Sequence, residues 1–502
     1  MIAASLAFSA SVILSLIAGI LLTFVFLPSP KNDMKAVLLR LFTGSGLGIG
    51  ITSCLYFVCM PAGLTGTIPI IDLLFCLLLG GTGFVILRRR AAKDVLPISE
   101  KTKRTPLEIL LAGILSVEIL ASLASFLSVF REAPHGKWDA WLIWNMHARF
   151  LYRSGETWRE VFSGGMDWSH WDYPLLLPLS IVRSWKYMDG ESVYIPAAFA
   201  LFFSLLTLGL LLFALAYLRG RAQGYLGAMI LLGTPLFIVM GASQFADIPL
   251  AFFILATLVL LSWQARSPDN PQGALILAGL AAGLSAWTKN EGLLFFPIVT
   301  GSLFIAALHA GGWRSALNRT GPFLAGALPV LLVVVYFKTH LSPMNDLMAG
   351  FAPAAVAAKL TDFGRYAEIA KAFFITGISF TQGLIDVRQG MRLNPGAVNI
   401  LLLIGYLFLA GVRIDRRDRV GLTRSAAILG LMLIGYFFVY VLTPLDLGYH
   451  LATSLNRLFL QLWPSVIFLC FMIAGSPEPS PSPGDRCGPG SARPKTRERG
   501  KK

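Results

Sequence analysis

About thirteen runs of mainly apolar residues, most of them 17 to 26 residues long, divide this chain. They lie near 2–27, 36–60, 67–87 and 106–130, then 192–218, 224–240, 248–264, 273–288, 293–309 and 321–337, and finally 397–412, 425–442 and 455–474. A helix that crosses the hydrocarbon of a bilayer needs about 20 such residues. Inside lipid the backbone must satisfy its own hydrogen bonds, which leaves helices or closed barrels. Runs of this length predict helices. Only 14% of the 502 residues are charged, against about a quarter in a soluble chain. The expected fold is therefore an all-α, polytopic transmembrane helix bundle with about thirteen spans. The first run starts at Met1 without a basic segment and is longer than a signal-peptide core, so it reads as a retained span.

The charge pattern orients these spans. The formal net charge is +15. Arg88, Arg89, Arg90, Lys93, Lys101, Lys103 and Arg104 fill the loop after the third run. Arg219 and Arg221 follow the fifth, Arg314 and Arg319 the ninth, and Arg413, Arg416, Arg417 and Arg419 the eleventh. With thirteen spans all of these clusters, and the basic tail, fall on one face, which the positive-inside bias assigns to the cytoplasm. The charge thus reads as topology and contact with anionic lipid, not as nucleic-acid binding. A bacterial-type inner (plasma) membrane protein is expected, with a cytoplasmic C-terminus and a periplasmic or extracellular active side. Cys54, Cys59, Cys76 and Cys470 sit in apolar runs and Cys487 in the tail, so no disulfide framework or Cys/His metal spacing is implied. The tail, 475–502, is rich in Pro, Ser, Gly and basic residues and is expected to be disordered.

The outer face then receives the segments 131–191 and 338–396 and the turns 244–247, 288–292 and 443–454. Long polar segments on a membrane scaffold are where function tends to sit. Seven of the eleven tryptophans lie in 131–191. Trp138, Trp141 and Trp144 are three apart and are expected on one broad helix face, as in an amphipathic loop helix at the headgroup level. Their rings also suit stacking on sugars and isoprenoid chains. Asp139 sits at the start of that helix. It reads as a first-turn carboxylate favoured by the helix dipole. It also reads as a carboxylate able to take a proton from an attacking hydroxyl or to hold a divalent cation such as Mg or Mn. His170, Asp172 and Tyr173 form a polar stretch before Pro174 and an apolar run. Asp247 opens a span, where a plain cap and a functional carboxylate are both open readings. Lys289 and Glu291 occupy an outer turn, with Lys289 either snorkelling or contacting a phosphate. Asn456 and Arg457 begin the last span, after His450 in the preceding turn. Arg457 reads as a bidentate phosphate ligand or as the partner of a neighbouring carboxylate.

Taken together these motifs resemble the GT-C superfamily of membrane glycosyltransferases. An acidic residue in the first large outer loop, here Asp139, marks that superfamily. His170-Trp171-Asp172-Tyr173-Pro174-Leu175 is similar to the His/Tyr-Pro-Pro-Leu element of the protein-mannosyltransferase-like and aminoarabinose-transferase-like branch, glycosyltransferase family 39. Phe245-Ala246-Asp247-Ile248-Pro249 looks like its acidic turn, and Thr288-Lys289-Asn290-Glu291-Gly292 with Pro297 like its Thr-Lys…Gly…Pro element. The likeness covers roughly 106–330, with a weaker echo at 443–464. It departs in three respects: three spans precede the one leading to Asp139, Ala140 replaces the Glu of an Asp-Glu pair, and Leu175 replaces a second Pro.

The resemblance implies a GT-C-like catalytic unit over 106–474, preceded by extra N-terminal helices over 1–105. It implies transfer of a sugar from a polyprenyl-phosphate-linked donor to an acceptor hydroxyl on a glycan, lipid or protein at the outer face. In that picture Asp139 and Asp247 carry the chemistry. Trp138, Trp141, His170, Asp172, Tyr173, Lys289, Glu291, His450 and Arg457 bind substrate, and direct attack opposite the phosphate inverts the anomeric centre. Two rivals share parts of the pattern. A transporter or flippase of a lipid-linked substrate would place charges near mid-depth and show internal repeats; the spans are nearly free of charges at mid-depth, with Glu118 the main exception, and no repeat is visible. A polysaccharide polymerase or ligase would share the long outer loops with a different motif set.

Overall fold

The apolar runs become helices. The computed structural model describes residues 2–27, 33–91, 104–163, 167–266, 271–344, 352–378, 398–415 and 417–475. The helices are α1 (Ile2–Phe26), α2 (Met34–Cys59), α3 (Ile68–Ala91), α4 (Pro106–Glu132), α5 (Asn145–Arg153), α6 (Leu176–Met188), α7 (Tyr194–Leu218), α8 (Arg221–Leu232), α9 (Pro235–Ala242), α10 (Asp247–Arg266), α11 (Pro271–Thr288), α12 (Asn290–His340), α13 (Pro353–Thr361), α14 (Phe363–Ile378), α15 (Val398–Ala410), α16 (Arg419–Leu442) and α17 (Leu447–Ile473). Among the described residues the only β contact is an isolated bridge between Val412 and Ala474.

Nine of these helices are each long and apolar enough to cross a membrane, and ten spans result if α8 and α9, bent by 65°, count as one. The other expected runs are also helical. Run 273–288 lies in the shorter α11 and 397–412 ends in α15. Runs 293–309 and 321–337 are the two arms of the 51-residue α12, which breaks at Gly311 and Gly312. Gly312 adopts φ 69°, in the left-handed region that a side chain disfavours. The basic stretch at 92–103, the stretches 345–351 and 379–397 of the second outer segment, and the tail at 476–502 with its expected disorder lie outside the described residues.

Local signals set the helix ends. Asp33 caps α2 by accepting from the backbone N–H groups of Lys35 and Ala36. Thr105 and Glu108 form a reciprocal capping box on α4, with Pro106 in its first turn. Small residues let the helices approach closely, the usual packing device in lipid. A Cβ on Gly19 of α1 would lie 1.9 Å from the Gly44 carbonyl of α2, and one on Gly326 of α12 1.9 Å from the Ile276 carbonyl of α11.

The N-terminal helices are packed into the rest. α2 runs against α6, α7, α11 and α12. Arg183 of α6 and Asp72 of α3 form a fully buried ion pair at 2.6 Å, and Arg183 also donates to the Ser11 carbonyl and the Ser15 hydroxyl of α1. Ser53 of α2 donates to the Leu176 carbonyl and accepts from the Trp287 indole N–H. Through these bonds α1–α3 hold both α6, which closes the first outer segment, and the end of α11.

The bundle has two polar ends. At one, Arg266 pairs with Asp418 and donates to the Leu218 carbonyl, Arg219 donates to the Ala474 carbonyl, and Gln223 donates to the Gly475 carbonyl. The other end holds Asp139, Asp247, Lys289 and Arg457.

Candidate active site

Four segments far apart in sequence deliver one charge network. The first is the segment after α4. It turns through a π-helical turn at Ala140–Trp144, closed by the Asn145 N–H on the Ala140 carbonyl, and runs on into α5. This turn adds a residue to the helical repeat, so the three tryptophans expected on one face separate. Trp138 and Trp141 are 70% and 56% exposed, whereas Trp144 is fully buried and stacks on Tyr173. Asp139 makes no helix-capping hydrogen bond. Its Oδ2 lies 2.6 Å from Arg457 Nη2 instead.

The turn before α10 is tied to that segment. Gln244 adopts φ 64°, uncommon for a residue with a side chain. Its buried amide holds the turn: it accepts from Asn145 Nδ2 at 2.7 Å and donates to the Pro134 carbonyl at 3.1 Å. The Lys137 N–H adds a bond to the Ser243 carbonyl. These contacts bring Asp139 beside Asp247, the first residue of α10.

Asp247 is completely buried and accepts four hydrogen bonds. Lys289 Nζ at 3.0 Å and Gln461 Nε2 at 2.7 Å reach Oδ1. Arg457 Nε at 3.2 Å and Nη2 at 3.0 Å reach Oδ2. A carboxylate offers about four acceptor positions, so those of Asp247 are taken. Lys289 continues the network to Glu291 Oε1 at 2.8 Å. Gln461 Nε2 also donates to Glu291 Oε1, and Gln461 Oε1 accepts from the Tyr436 hydroxyl. The charges alternate along the line Asp139, Arg457, Asp247, Lys289, Glu291. Burial pushes the Lys289 pKa down, but the Asp247 and Glu291 carboxylates more than reverse this, so it stays cationic.

Donors remain for a ligand. Arg457 carries five N–H groups, and its Nη1 makes no hydrogen bond to the described residues. Lys289 uses two of three. Asp139 Oδ1 likewise makes no hydrogen bond to the described residues. Glu291 Oε2 is buried without a partner.

Beside this network lies a second one. Asn290 Nδ2 donates to Asp172 Oδ2 at 2.7 Å, and Lys338 Nζ donates to Asn290 Oδ1 and to the Asp172 carbonyl. Tyr173 is partly buried between Trp144 and His170, stacked with both rings. Burial, then the carboxylates of Glu291, Asp172 and Asp139, push its hydroxyl well above the usual tyrosine range, so it stays protonated. Behind it His147 Nε2 meets the Ser169 carbonyl at 2.9 Å and the ring stacks on Trp171. Burial lowers the His147 pKa to about 3. His450 binds Thr443 and packs on Tyr440.

The structure therefore gathers Asp139, Asp247, Lys289, Glu291 and Arg457 directly, and sets Asp172 and Tyr173 alongside. Trp138 and Trp141 project outward next to Asp139. Gln461, Asn290, Lys338 and Tyr436 were not singled out as site residues. Gln461 carried a readable signal, since it lies four residues after Arg457 and so on the same helix face. Among the described residues no three His, Cys, Asp or Glu side chains are grouped to hold a metal ion. Asp247, saturated by cationic and amide donors, offers no position to a divalent cation.

Residues 187–337 match the dolichyl-phosphate-mannose-protein mannosyltransferase family. The matched stretch carries Asp247, Lys289 and Glu291 and stops short of Asp139 on one side and Arg457 on the other. It supports a membrane glycosyltransferase of the GT-C superfamily that uses a polyprenyl-phosphate-linked sugar. With nine or more membrane-length helices, the protein is an integral membrane protein. No curated protein and no solved structure matches the chain.

Proposed function

We propose that this protein transfers a sugar from a polyprenyl-phosphate donor to an acceptor hydroxyl at the outer face of the membrane, with inversion. The observation that supports this most directly is the single guanidinium shared by Asp139 and Asp247. It sets a carboxylate with an open oxygen next to a cation with open N–H groups, which are the two things the reaction needs.

Arg457 Nη1 and Lys289 Nζ bind the donor phosphate and stabilise the charge that builds on it as it leaves. Asp139 Oδ1 takes the acceptor proton while the acceptor oxygen attacks the anomeric carbon. The new C–O bond forms as the C–O bond to phosphate breaks, on opposite faces of the carbon. Asp247 is the anchor that keeps two cations side by side in a low-dielectric site, and Asp139 is the base. Glu291, Asp172, Tyr173, His170 and His450 line the sugar side. Trp138 and Trp141 sit at the headgroup level beside the entrance. Orientation follows the basic clusters: the end with Arg219, Arg266 and Ala474 faces the cytoplasm and the Asp139 end faces out.

The test is purified protein with polyprenyl-phosphate-linked mannose and a panel of other polyprenyl-phosphate sugars, with water as the acceptor, scored for release of polyprenyl phosphate and free sugar. Release that falls sharply in Asp139→Asn, with donor binding retained, is expected. Full release in that variant, with normal membrane insertion, overturns the assignment.

A further inference from the structure

A second charged feature lies away from this network, where α12 and α16 pack together. Arg424, on the second turn of α16, is only 7% exposed. Its Nε is sealed from solvent without a hydrogen-bond partner, and the residue makes no ion pair among the described residues. The exposed Arg319 belongs to α12, the helix that packs on α16, and lies near the start of its second arm. Each arginine has a buried hydroxyl next to it in sequence, Ser425 and Thr320, and both Oγ atoms also lack partners. The other two buried arginines among the described residues show the contrast: Arg183 is matched by Asp72 at 2.6 Å and Arg40 donates to the Ala36 and Leu27 carbonyls, whereas Arg424 Nε meets no acceptor.

Two guanidiniums without a carboxylate, one of them buried, form an arrangement that an apolar setting disfavours unless an anion completes it. Position narrows the anion. Arg424 lies five residues into α16, about 8 Å along the helix from its start, at the end of the bundle that carries Arg219 and Asp418. Val420, one turn before Arg424 on α16, and Leu317, two residues before Arg319 on α12, are exposed to the surroundings of the bundle at 62% and 53%. The site therefore opens sideways at the depth of a headgroup. Basic pockets between membrane helices on the cytoplasmic side bind anionic lipid headgroups.

We propose that Arg424 and Arg319 form a binding site for the phosphate of an anionic phospholipid in the cytoplasmic leaflet, apart from the reaction site. The ligand phosphate takes the place of the missing carboxylate, and Arg319 grips it from the exposed side.

The experiment places the full-length protein in nanodiscs of phosphatidylcholine, with or without phosphatidylglycerol, and measures both thermal unfolding and the lipid retained in native mass spectrometry. Phosphatidylglycerol should stabilise the wild type and be retained over phosphatidylcholine. Arg319→Gln, an exposed change that leaves packing intact, should weaken that preference about fivefold, the value of one basic residue near an anionic surface. Arg424→Met should abolish it and unfold no earlier than wild type in pure phosphatidylcholine. A third arm adds inorganic phosphate to pure phosphatidylcholine discs. An equal shift there keeps the anion site and overturns its assignment to lipid. No difference between the wild type and both variants in any arm overturns the site itself.

Discussion

Asp247→Asn separates anchoring from catalysis. The carboxylate receives four hydrogen bonds, two from Arg457 and one each from Lys289 and Gln461. An amide keeps one acceptor oxygen and turns the other atom into a donor. Whichever way it faces, that NH2 meets either the Arg457 pair or the Lys289 and Gln461 pair, so two bonds are lost and donors confront one another. The charge is lost as well, leaving Arg457 with Asp139 alone and Lys289 with Glu291 alone. Removing one member of a buried ion pair costs about 3–5 kcal/mol. Asp247 is fully buried, so solvent does not soften this. The ratio of unfolded to folded protein should rise by roughly two to four powers of ten. Heat- or detergent-driven unfolding followed by tryptophan fluorescence reads this directly, in parallel with donor turnover. A variant that unfolds like wild type yet has lost turnover would refute the anchor role and make Asp247 a chemical participant.

Other outcomes follow from the same geometry. Asp139→Asn should keep its fold, because that side chain is partly exposed and holds a single partner, while turnover drops by about 10²–10⁴; stopped turnover with donor binding also lost would point to a binding role instead. Gln461→Glu should give activity that falls with rising pH where the wild type is flat, since the new carboxyl can donate to Asp247 only while protonated; a flat profile would remove Gln461 from the network's function. His147 stays neutral in the fold down to about pH 3, whereas the unfolded chain takes up a proton near 6.5. The unfolded state thus binds more protons between these values. Its stabilising contribution is complete above about pH 6.5 and is lost as pH falls, by up to about 1.4 kcal/mol per pH unit. Unfolding measured from pH 7 to 4 should show a shallower acid loss in His147→Gln. Arg183→Met should destabilise by about 3–5 kcal/mol, and adding Asp72→Leu should restore most of it, as a double-mutant cycle will show.

Much of the scaffold was legible because membrane helices announce themselves one at a time. Each run of about 20 apolar residues must solve its hydrogen-bonding problem alone, so a local pattern suffices. The runs at 293–309 and 321–337 were readable as two because a polar stretch with Arg314 and Arg319 separates them, and the backbone leaves helical geometry there at Gly311 and Gly312. The tryptophan pattern failed for the same local reason. A spacing of three predicts one face only for a regular helix, and the π-helical turn at Ala140–Trp144 sends Trp144 inward while Trp141 stays out.

The site was legible as a set of residue types and not as a division of labour. Asp139 and Asp247 are the same amino acid at two boundaries, and nothing local distinguishes them. What separates them is the number of donors that reach each one, and those donors come from the turn before α12 and from α17, dozens to hundreds of residues away in sequence. Asp247 meets Lys289, Arg457 and Gln461, while Asp139 meets Arg457 alone. Asp72 and Arg183 make the point from the other side. Each sits singly in an apolar stretch, 111 residues apart, and only packing reveals that they neutralise one another. Arg424 looks the same in sequence as any arginine of the positive-inside pattern. Its buried Nε without any acceptor sets it apart, and that too is a property of how the helices around it meet.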